Sequence, residues 1–547
     1  MLRTLIPAVL VVANVVAQTN FPPPTAPFGN PPTQEKELLG MALYFEEQLS
    51  STGTVACATC HAFPSGGGDA RTMNSVNAGF DGVLGTTDDQ RGSPGVPIIL
   101  PTGELLVSSA NFAPRITSRR APSVVNSGYH TALFYDGRAE SLEALVTQPL
   151  FNVVEMGHLG RTWAQVETKL AAATPLVFAS NLPQRLQNFI AGKTYADLFQ
   201  VAFGTPAMTE IRAAQALASY LRTLNSDQSK WDLHLHGQAQ LTAQEQQGLN
   251  LFQSPANGAV SCRTCHGDFD NRVLLEGPIA GQMTTTTTGY YGSPTQTRLL
   301  FHNVGVRPTI EDEGRKNVTQ AATDVGKFRV ASLRNVELSA PYFHNGSATT
   351  LRDVLDFYDR GGDFHSNQAP SLTPRNYTIA EKDALEAILR TLTDPRVAAG
   401  TYPFDAPTLG SQNGRLVTSI GPSGITAAGP LVASAPYAPR IGESNFRMTL
   451  SGASIGTPTF LMWDVAAATS PQLLDIQLGL TTSFVVFGMG PAAGVWYTPG
   501  HAYVQAPMPV PNEPGLSGLV LYAQWIVLEA STQWPWATSN ALRIPLL

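Results

Sequence analysis

All four cysteines of this 547-residue chain lie in two Cys-x-x-Cys-His motifs. The motifs are Cys57-Ala-Thr-Cys60-His61 and Cys262-Arg-Thr-Cys265-His266. Two thiols three positions apart can form thioethers with the two vinyl groups of a porphyrin, and the adjacent histidine can then bind its iron. The sequence therefore predicts two covalently attached haem c groups, with His61 and His266 as proximal iron ligands.

Three other chemistries also use paired cysteines. Four thiolates can bind one zinc ion, a Cys-x-x-Cys pair can be a thioredoxin-like redox centre, and two pairs can form structural disulfides. Here both pairs carry an adjacent histidine, no cysteine is left over, and the motifs lie about 200 residues apart, farther than in a zinc ribbon. Haem attachment is the favoured interpretation, and the other three remain as alternatives.

Composition and the N-terminus indicate an exported protein. The net charge is −7, and no basic run of the kind that binds nucleic acid is present. Residues 1–17 are typical of a signal peptide, because Arg3 precedes an apolar core, Leu5–Val16, that ends in short side chains. That core and all later segments are too short for a transmembrane helix. We expect a periplasmic or extracellular protein with no transmembrane segment, in which the Pro-rich residues 18–33 form a flexible linker.

Helical patterns accompany both cysteine motifs. Apolar periodicity predicts helices over 34–49, 194–203 and 211–224. The segment Thr242-Ala-Gln-Glu245 resembles a capping box, which predicts a helix that ends near Phe252. The order of helix, cysteine motif, long loop and further helices occurs twice. The predicted fold is therefore mainly α, with two cytochrome-c-like helical haem domains over residues 34–240 and 241–400.

Residues 401–547 differ from the preceding residues in composition and in sequence pattern. They are rich in Gly, Pro, Ser and Thr, and turn clusters separate short β-branched or aromatic runs such as 459–463, 484–487 and 519–528. This pattern predicts an all-β, sandwich-like C-terminal domain, and its apolar content is too high for a disordered tail. The domain is either a structural appendage or a module that docks to a partner, a polysaccharide or a cell surface.

Several further motifs occur in a fixed order between residues 34 and 396. They are Arg120–Asn126, Phe134–Arg138, Ser141–Glu143, Pro149, Glu155–Gly157, Phe301–Gly305, Gly326–Asn335, Ala340–Gly346 and Thr350–Tyr358. In these segments the chain resembles the bacterial di-haem cytochrome c peroxidases and the related MauG-type enzymes. The resemblance covers about two thirds of the chain and does not include residues 401–547.

The resemblance implies that the haem of Cys57, Cys60 and His61 is the peroxidatic one. Many peroxidases of the family keep a distal histidine in the loop after this motif, but this chain has no histidine between His61 and His130. We therefore expect an open sixth coordination position, as in MauG-type enzymes. Met73 is the alternative ligand in that loop.

Glu155 matches the family's distal acid–base residue, and Pro149 aligns with another residue of the distal pocket. A positioned carboxylate can move a proton from the inner to the outer oxygen of a peroxide. The family often has a glutamine ten positions before this glutamate. Here that position is Leu145, although Gln148 is nearby.

For the second haem the resemblance implies an electron-transfer role and an unusual ligand. In the peroxidases a methionine seven residues after a Thr-Leu pair completes the iron, and here that position is Tyr358, as in MauG-type enzymes. A tyrosinate ligand stabilises ferric iron, because the axial ligand is a main control on haem potential. Alternatively, Tyr358 is a core aromatic and another side chain is the ligand. The fallback ligands are Met283, His302 and His344.

Two positions between the haems depart from the family pattern. Tyr135 falls where the family usually has a tryptophan, and we expect it to relay electrons and to lose a proton when it is oxidised. The family's inter-haem calcium uses an asparagine side chain, but that position is Arg120 here. Because a cation beside Arg120 would be repelled, calcium binding is doubtful.

The leading functional prediction is a di-haem peroxidase-like oxidoreductase. It would reduce hydrogen peroxide at the first haem and draw electrons through the second from a cytochrome c, a cupredoxin or a protein substrate. The alternatives are a non-catalytic di-haem electron carrier and a di-haem oxygenase that acts on an organic substrate.

Overall fold

The computed structural model describes residue 21, residues 23–96, 115–254, 261–266 and 301–413, and the backbone of short strands between 418 and 545. The predicted signal peptide and Met283 lie outside the described residues. No helix in the described part of the chain is long and apolar enough to cross a membrane.

Helices form the framework of the described residues up to 413. The α-helices are α1 (Gln34–Tyr44), α2 (Cys57–Cys60), α3 (Leu142–Leu145), α4 (Gln148–Phe151), α5 (Trp163–Ala172), α6 (Gln184–Ile190), α7 (Tyr195–Phe203), α8 (Glu210–Leu221), α9 (Lys230–Leu235), α10 (Ala243–Gln253), α11 (Arg263–His266), α12 (Lys316–Thr319), α13 (Leu351–Asp359), α14 (Ile379–Arg390), α15 (Pro395–Ala399) and α16 (Gly410–Asn413). The 3-10 helices are Glu47–Leu49, Phe63–Ser65, Ala70–Asn74, Ser127–Tyr129, Ala322–Asp324 and Val336–Leu338. Two antiparallel pairs of very short strands accompany them: β1 (Val76–Asn77) with β2 (Gln90–Arg91), and β3 (Phe301–His302) with β4 (Phe328–Arg329).

The helix predicted over residues 34–49 ends earlier than expected. The α-helix stops at Tyr44, and a separate 3-10 turn follows. The cause is Glu46, whose buried carboxylate accepts hydrogen bonds from the backbone N–H of Leu176 (2.8 Å) and the hydroxyl of Tyr195 (2.6 Å). Glu46 has an extended conformation, and its carboxyl also accepts a hydrogen bond from the N–H of Gln48 (3.0 Å), so it caps the 3-10 turn instead of extending the helix.

Two equivalent helix pairs form the centres of two hydrophobic cores. Helix α1 packs on α8, and α10 packs on α14. A glycine allows each close approach, because a Cβ atom on Gly40 would lie 2.0 Å from the carbonyl oxygen of Ala216 and one on Gly248 would lie 1.9 Å from that of Ala384. The same helix–helix contact is therefore built twice in the chain.

One loop conformation also occurs twice. Asn126 and Asn335 both have left-handed backbone angles (φ 60° and 57°) and both begin a 3-10 turn. Eight residues later, Phe134 and Phe343 share a φ of 63°, which is rare for an aromatic residue. The first loop is followed by a helix whose N-cap is Ser141, and the second by a helix whose N-cap is Thr350. Each half of the chain, with its own cysteine motif, thus contains one copy of the same loop and helix arrangement.

Beyond residue 413 the described backbone is entirely extended. The strands are β5 (Thr418–Ile420), β6 (Ile425–Thr426), β7 (Gly429–Pro430), β8 (Val432–Ser434), β9 (Arg447–Ser451), β10 (Pro458–Asp464), β11 (Val485–Phe487), β12 (Trp496–Tyr497), β13 (Tyr503–Pro507), β14 (Val520–Val527), β15 (Ala537–Thr538) and β16 (Ala541–Pro545). They pair antiparallel in the orders β11-β10-β14-β16-β5, with β12 on β10 and β15 on β14, and β13-β9-β8 and β6-β7. The three runs predicted as strands correspond to β10, β11 and β14.

Candidate functional site

A cavity of about 820 Å³ lies beside the first cysteine motif. The predicted site residues on its wall are Cys57, Cys60, His61, Tyr135, Pro149 and Glu155. Its volume is within the range of about 300–1,000 Å³ that is usual for ligand and cofactor pockets. The fold therefore brings together, from segments almost 100 residues apart, the residues that the sequence predicts for the first haem site.

The imidazole of His61 is oriented for iron binding. Its Nδ1 atom lies 3.0 Å from the carbonyl oxygen of Pro122 and 3.3 Å from that of Gly67. Because both neighbours only accept hydrogen bonds, Nδ1 carries the proton and Nε2 keeps its lone pair. Burial lowers the pKa of His61, which keeps the ring neutral. A neutral imidazole with a fixed tautomer fits the proximal ligand of a haem.

The thiols of the first motif differ from those of a reactive dithiol. All four cysteines of the chain are free, and burial raises the pKa of both Cys57 and Cys60 to about 12. Thioredoxin-like centres require the opposite shift, toward a lower pKa. In the described part of the chain, no three His, Cys, Asp or Glu side chains cluster so that they could hold a metal ion. The raised pKa values of Cys57 and Cys60 do not fit a thioredoxin-like dithiol centre.

The loop after α4 presents Glu155 to the cavity. Burial raises the pKa of the Glu155 carboxyl, and the nearby charge of Arg138 opposes that shift. The backbone on both sides is fixed: the Glu155 carbonyl accepts a hydrogen bond from Val96 N–H (3.0 Å), and Met156 N–H donates to the carbonyl of Pro149 (3.2 Å). A held carboxyl with a raised pKa is suited to proton transfer.

Buried Arg161 holds the same loop from behind. Its guanidinium donates hydrogen bonds to the carbonyls of Leu150 (2.8 Å), Met156 (3.0 Å) and Leu49 (2.5 Å). Burial lowers the pKa of Arg161 to about 10. The sequence analysis did not single out this residue, because its partners are backbone atoms.

The sequence analysis named Gln148 and Met73 as substitutes for the family's distal glutamine and distal histidine. The positions of these two residues in the structure support neither role. Gln148 is exposed, and its amide donates to the carbonyl of Ala144 (2.8 Å), whereas Leu145 lines the cavity. Met73 is not part of the cavity wall. His130 does line the cavity, and burial lowers its pKa well below the usual value. The sequence analysis overlooked His130 as a site residue, although its place between the motifs Arg120–Asn126 and Phe134–Arg138 is a usable signal.

The second motif has the same proximal arrangement. The Nδ1 atom of His266 lies 3.2 Å from the carbonyl oxygen of Ala331, and burial lowers the pKa of His266 to about 4. Tyr358, on α13, lies close enough to both thiols of this motif to interact with them electrostatically. Burial is the main cause of the raised pKa of Tyr358, and Cys265 and Cys262 add to it. Tyr358 therefore shares a site with the second motif.

The two histidines named as fallback ligands lie in different places. His302 is near enough to His266 to help lower its pKa. His344 instead stacks on Phe328, with ring centroids 3.7 Å apart, and lies 6.4 Å from the ring of Tyr135. His344 thus belongs to the junction between the two halves.

Charged side chains join the halves at this junction. Arg119 forms a bidentate ion pair with Asp312 (2.6 and 2.7 Å) and also contacts Asp136 (2.8 Å). The backbone N–H of Arg329 donates to the carbonyl of Tyr135 (2.7 Å). Tyr135 is therefore tied to the second half of the chain through its own carbonyl.

Arg120 occupies the position of the family's calcium-binding asparagine. Its side chain is buried, with 7% of the residue exposed, and lines the first cavity. Its backbone N–H donates to the carbonyl of His344 in the other half (2.9 Å). A buried guanidinium does not fit the ligand set of a divalent cation, since both are positive.

Comparisons with known proteins agree with these motifs. Residues 34–240 match the family described as di-haem cytochrome c peroxidase. The chain is 28% identical to cytochrome-c peroxidase IdrP1 of Pseudomonas sp. (strain SCT), over 74% of this chain and 97% of that protein. It is also 28% identical to the methylamine utilization protein MauG of Methylophilus methylotrophus, over 65% and 84% of the two chains.

A solved structure gives the same assignment. The crystal structure of a MauG-like protein associated with microbial copper homeostasis has a TM-score of 0.52 and 27% identity, and the match covers 72% of this chain and 98% of that one. The chain is therefore similar, as its motifs predict, to the di-haem cytochrome c peroxidases and MauG proteins, which are oxidoreductases. A likeness to this family implies two haem cofactors.

Proposed function

We propose that the chain is an exported di-haem c-type enzyme that reduces hydrogen peroxide at the first cavity. The observation that carries this proposal is the shared cavity of Glu155 with Cys57, Cys60 and His61. A carboxyl beside a cofactor site is the group that peroxide cleavage needs, and an electron carrier has no use for it.

Each residue of the first site has a distinct task in this proposal. Cys57 and Cys60 bind the porphyrin through thioethers, and Nε2 of His61 binds its iron. When bound, the haem supplies an iron that takes up peroxide and accepts and donates electrons. The hydrogen bonds from Nδ1 of His61 to Pro122 and Gly67 hold the ring in its ligating tautomer.

Glu155 moves the proton. Its carboxylate takes a proton from the inner oxygen of the peroxide and delivers it to the outer oxygen, which leaves as water. Overall, one peroxide, two electrons and two protons give two waters. The carbonyl of Pro149 accepts a hydrogen bond from Met156 N–H and thereby fixes the loop that carries Glu155. Leu145 and Val146 give the cavity an apolar wall.

We propose that the second site stores and delivers electrons. Cys262 and Cys265 would attach the second haem, and His266 and the oxygen of Tyr358 would bind its iron. An oxygen ligand favours the ferric state and lowers the potential, which suits an enzyme that holds oxidising equivalents on both haems. Tyr135 relays electrons between the two sites. The donor is a small redox protein, either a cytochrome c or a cupredoxin, or a side chain of a protein substrate.

The remaining assignments extend the proposal to the whole chain. A signal peptide (1–17) and a linker (18–33) precede the peroxidatic domain (34–240) and the electron-transfer domain (241–400), and the protein acts in the periplasm or outside the cell. The antiparallel strands after residue 413 support a sandwich-like domain at 401–547. We also propose that the enzyme needs no calcium, so a chelator should leave its activity unchanged.

One observation favours a second candidate function, that of an electron carrier. His130 lines the first cavity, and a histidine there could fill the sixth position of the iron and block peroxide. Glu155 favours the peroxidase, whereas His130 favours the carrier.

Rapid mixing with peroxide distinguishes these functions. The wild-type protein should react within the dead time or in a fast phase, and Glu155→Gln should react about 10²–10⁴ times more slowly. Glu140→Gln, which changes an exposed glutamate, is the matched control and should react like wild type. If the Glu155→Gln rate equals that of wild type, the role of Glu155 is wrong. If no variant reacts at all, the carrier function is favoured.

A further inference from the structure

Arg120 is a buried cation that lacks an anionic partner among the described residues. Only 7% of the residue is exposed, and its Nε atom is buried without a hydrogen-bond partner. Its neighbours Arg119 and Arg138, on the same cavity wall, both form ion pairs with Asp136. An unpaired buried charge is costly, so a bound anion is expected to complete this part of the site.

The surroundings of Arg120 leave room for its guanidinium group. A Cβ atom on Gly68 would lie 3.0 Å from Nη2 of Arg120, so the glycine keeps that space open. Arg120 lines the first cavity together with His61, and its backbone N–H donates to the carbonyl of His344 in the second half (2.9 Å). Arg120 therefore lies where the cavity meets the proximal histidine and the second half of the chain.

We propose that Arg120 binds a propionate carboxylate of the haem in the first cavity. This inference rests on the proposed function, because it requires a haem at His61. The two propionates are the anionic groups of a haem, and a guanidinium matches a carboxylate with two parallel hydrogen bonds. A cation at this place also favours the reduced iron, since reduction removes a positive charge from the haem.

The test compares Arg120→Gln, Arg120→Lys and wild type in the full-length, haem-loaded protein. Redox titration followed by electron paramagnetic resonance resolves the first haem from the second. We expect the midpoint potential of the first haem to move to a more negative value in Arg120→Gln and to return toward wild type in Arg120→Lys. The propionate bending band in the resonance Raman spectrum should shift in Arg120→Gln. Arg185→Gln, which removes the partly buried ion-pair partner of Asp405 and does not line the first cavity, is the control and should change neither quantity.

Gly68→Ala provides a second route if Arg120→Gln does not fold. The added methyl group presses on Nη2 of Arg120 and should shift the same potential and the same band in the same direction, by a smaller amount. An unchanged first-haem potential and an unchanged propionate band in the folded variants would overturn the assignment of Arg120. A wild-type protein without covalent haem would instead overturn the proposed function, so the two failures are distinguishable.

Discussion

Tyr135 and His344 occupy equivalent positions in two copies of one loop, and their ring centroids lie 6.4 Å apart. Each follows a phenylalanine with a φ of 63°, Phe134 or Phe343, and precedes an acidic or amide residue and a left-handed glycine. The two halves thus face each other through matching residues. Since Tyr135 also lines the first cavity, the pair connects the wall of that cavity to the second half of the chain.

Tyr135→Phe should impair communication between the haems. The variant keeps the aromatic ring but removes the phenolic proton, so oxidation of the ring becomes harder. We expect slower transfer of oxidising equivalents to the second haem after peroxide is added, measured by rapid-mixing absorbance. Tyr129→Phe, at a buried tyrosine that packs on Phe21, is the control. Unchanged transfer and unchanged redox titrations of both haems in Tyr135→Phe would count against the relay.

The pH dependence of peroxide reduction should report Glu155. Burial raises the pKa of this carboxyl, so the acidic limb of the kcat/KM profile should lie above the usual range of a glutamate. The ionised form accepts the proton, and activity is therefore present above this pKa and lost as the pH falls through it. The charge of Arg138 lowers the pKa, and Arg138→Gln should move the limb to higher pH. Arg138→Lys keeps the charge and should leave the limb near its wild-type position. A limb that does not move in Arg138→Gln would mean that another group is titrating.

Tyr358→Phe should change the second haem and leave the first one intact. Loss of the phenol oxygen removes the proposed sixth ligand, so we expect the low-spin ferric signal of the second haem to become high-spin and its potential to rise. Tyr377→Phe is a demanding control, because the pKa of Tyr377 is also raised, mainly by burial and then by Cys262. A spectral change in Tyr377→Phe, with none in Tyr358→Phe, would show that the ligand is Tyr377 and that the assignment of Tyr358 is wrong.

Gly248→Ala should destabilise the second core although alanine favours helices. In an exposed helix interior this change would add about 1 kcal/mol of stability. Here the new Cβ atom would lie 1.9 Å from the carbonyl oxygen of Ala384, so α10 and α14 must separate, at a cost of about 3 kcal/mol. Gly29→Ala, whose Cβ would meet nothing within 4 Å, is the control. Urea unfolding measures both free energies, and a Gly248→Ala protein as stable as wild type would contradict the close contact.

Features fixed by local sequence could be predicted, and those fixed by distant contacts could not. The start of α10 follows from Thr242 and Glu245, which cap each other three residues apart. The helix α1 ends just before Glu46, two of whose partners lie 130 and 149 residues away. In the site, motif order was enough to select Glu155, Pro149 and Tyr135, which the fold places on one cavity wall.

The positions of other site residues could be recognised only from the three-dimensional structure. The exposure of Gln148 and the place of His130 on the cavity wall depend on how the loops fold over α2. Arg120 was recognised as a departure from the family pattern, but its buried and unpaired Nε atom is a property of the tertiary structure.

The central claim is that the haem at His61 is open to peroxide, and the resting spectrum tests it most directly. Electron paramagnetic resonance of the oxidised protein should show one high-spin and one low-spin ferric haem, and peroxide should alter both signals. Two low-spin haems that do not respond to peroxide would contradict the claim. That result would indicate that a side chain such as His130 closes the first site, and that the protein carries electrons without reducing peroxide.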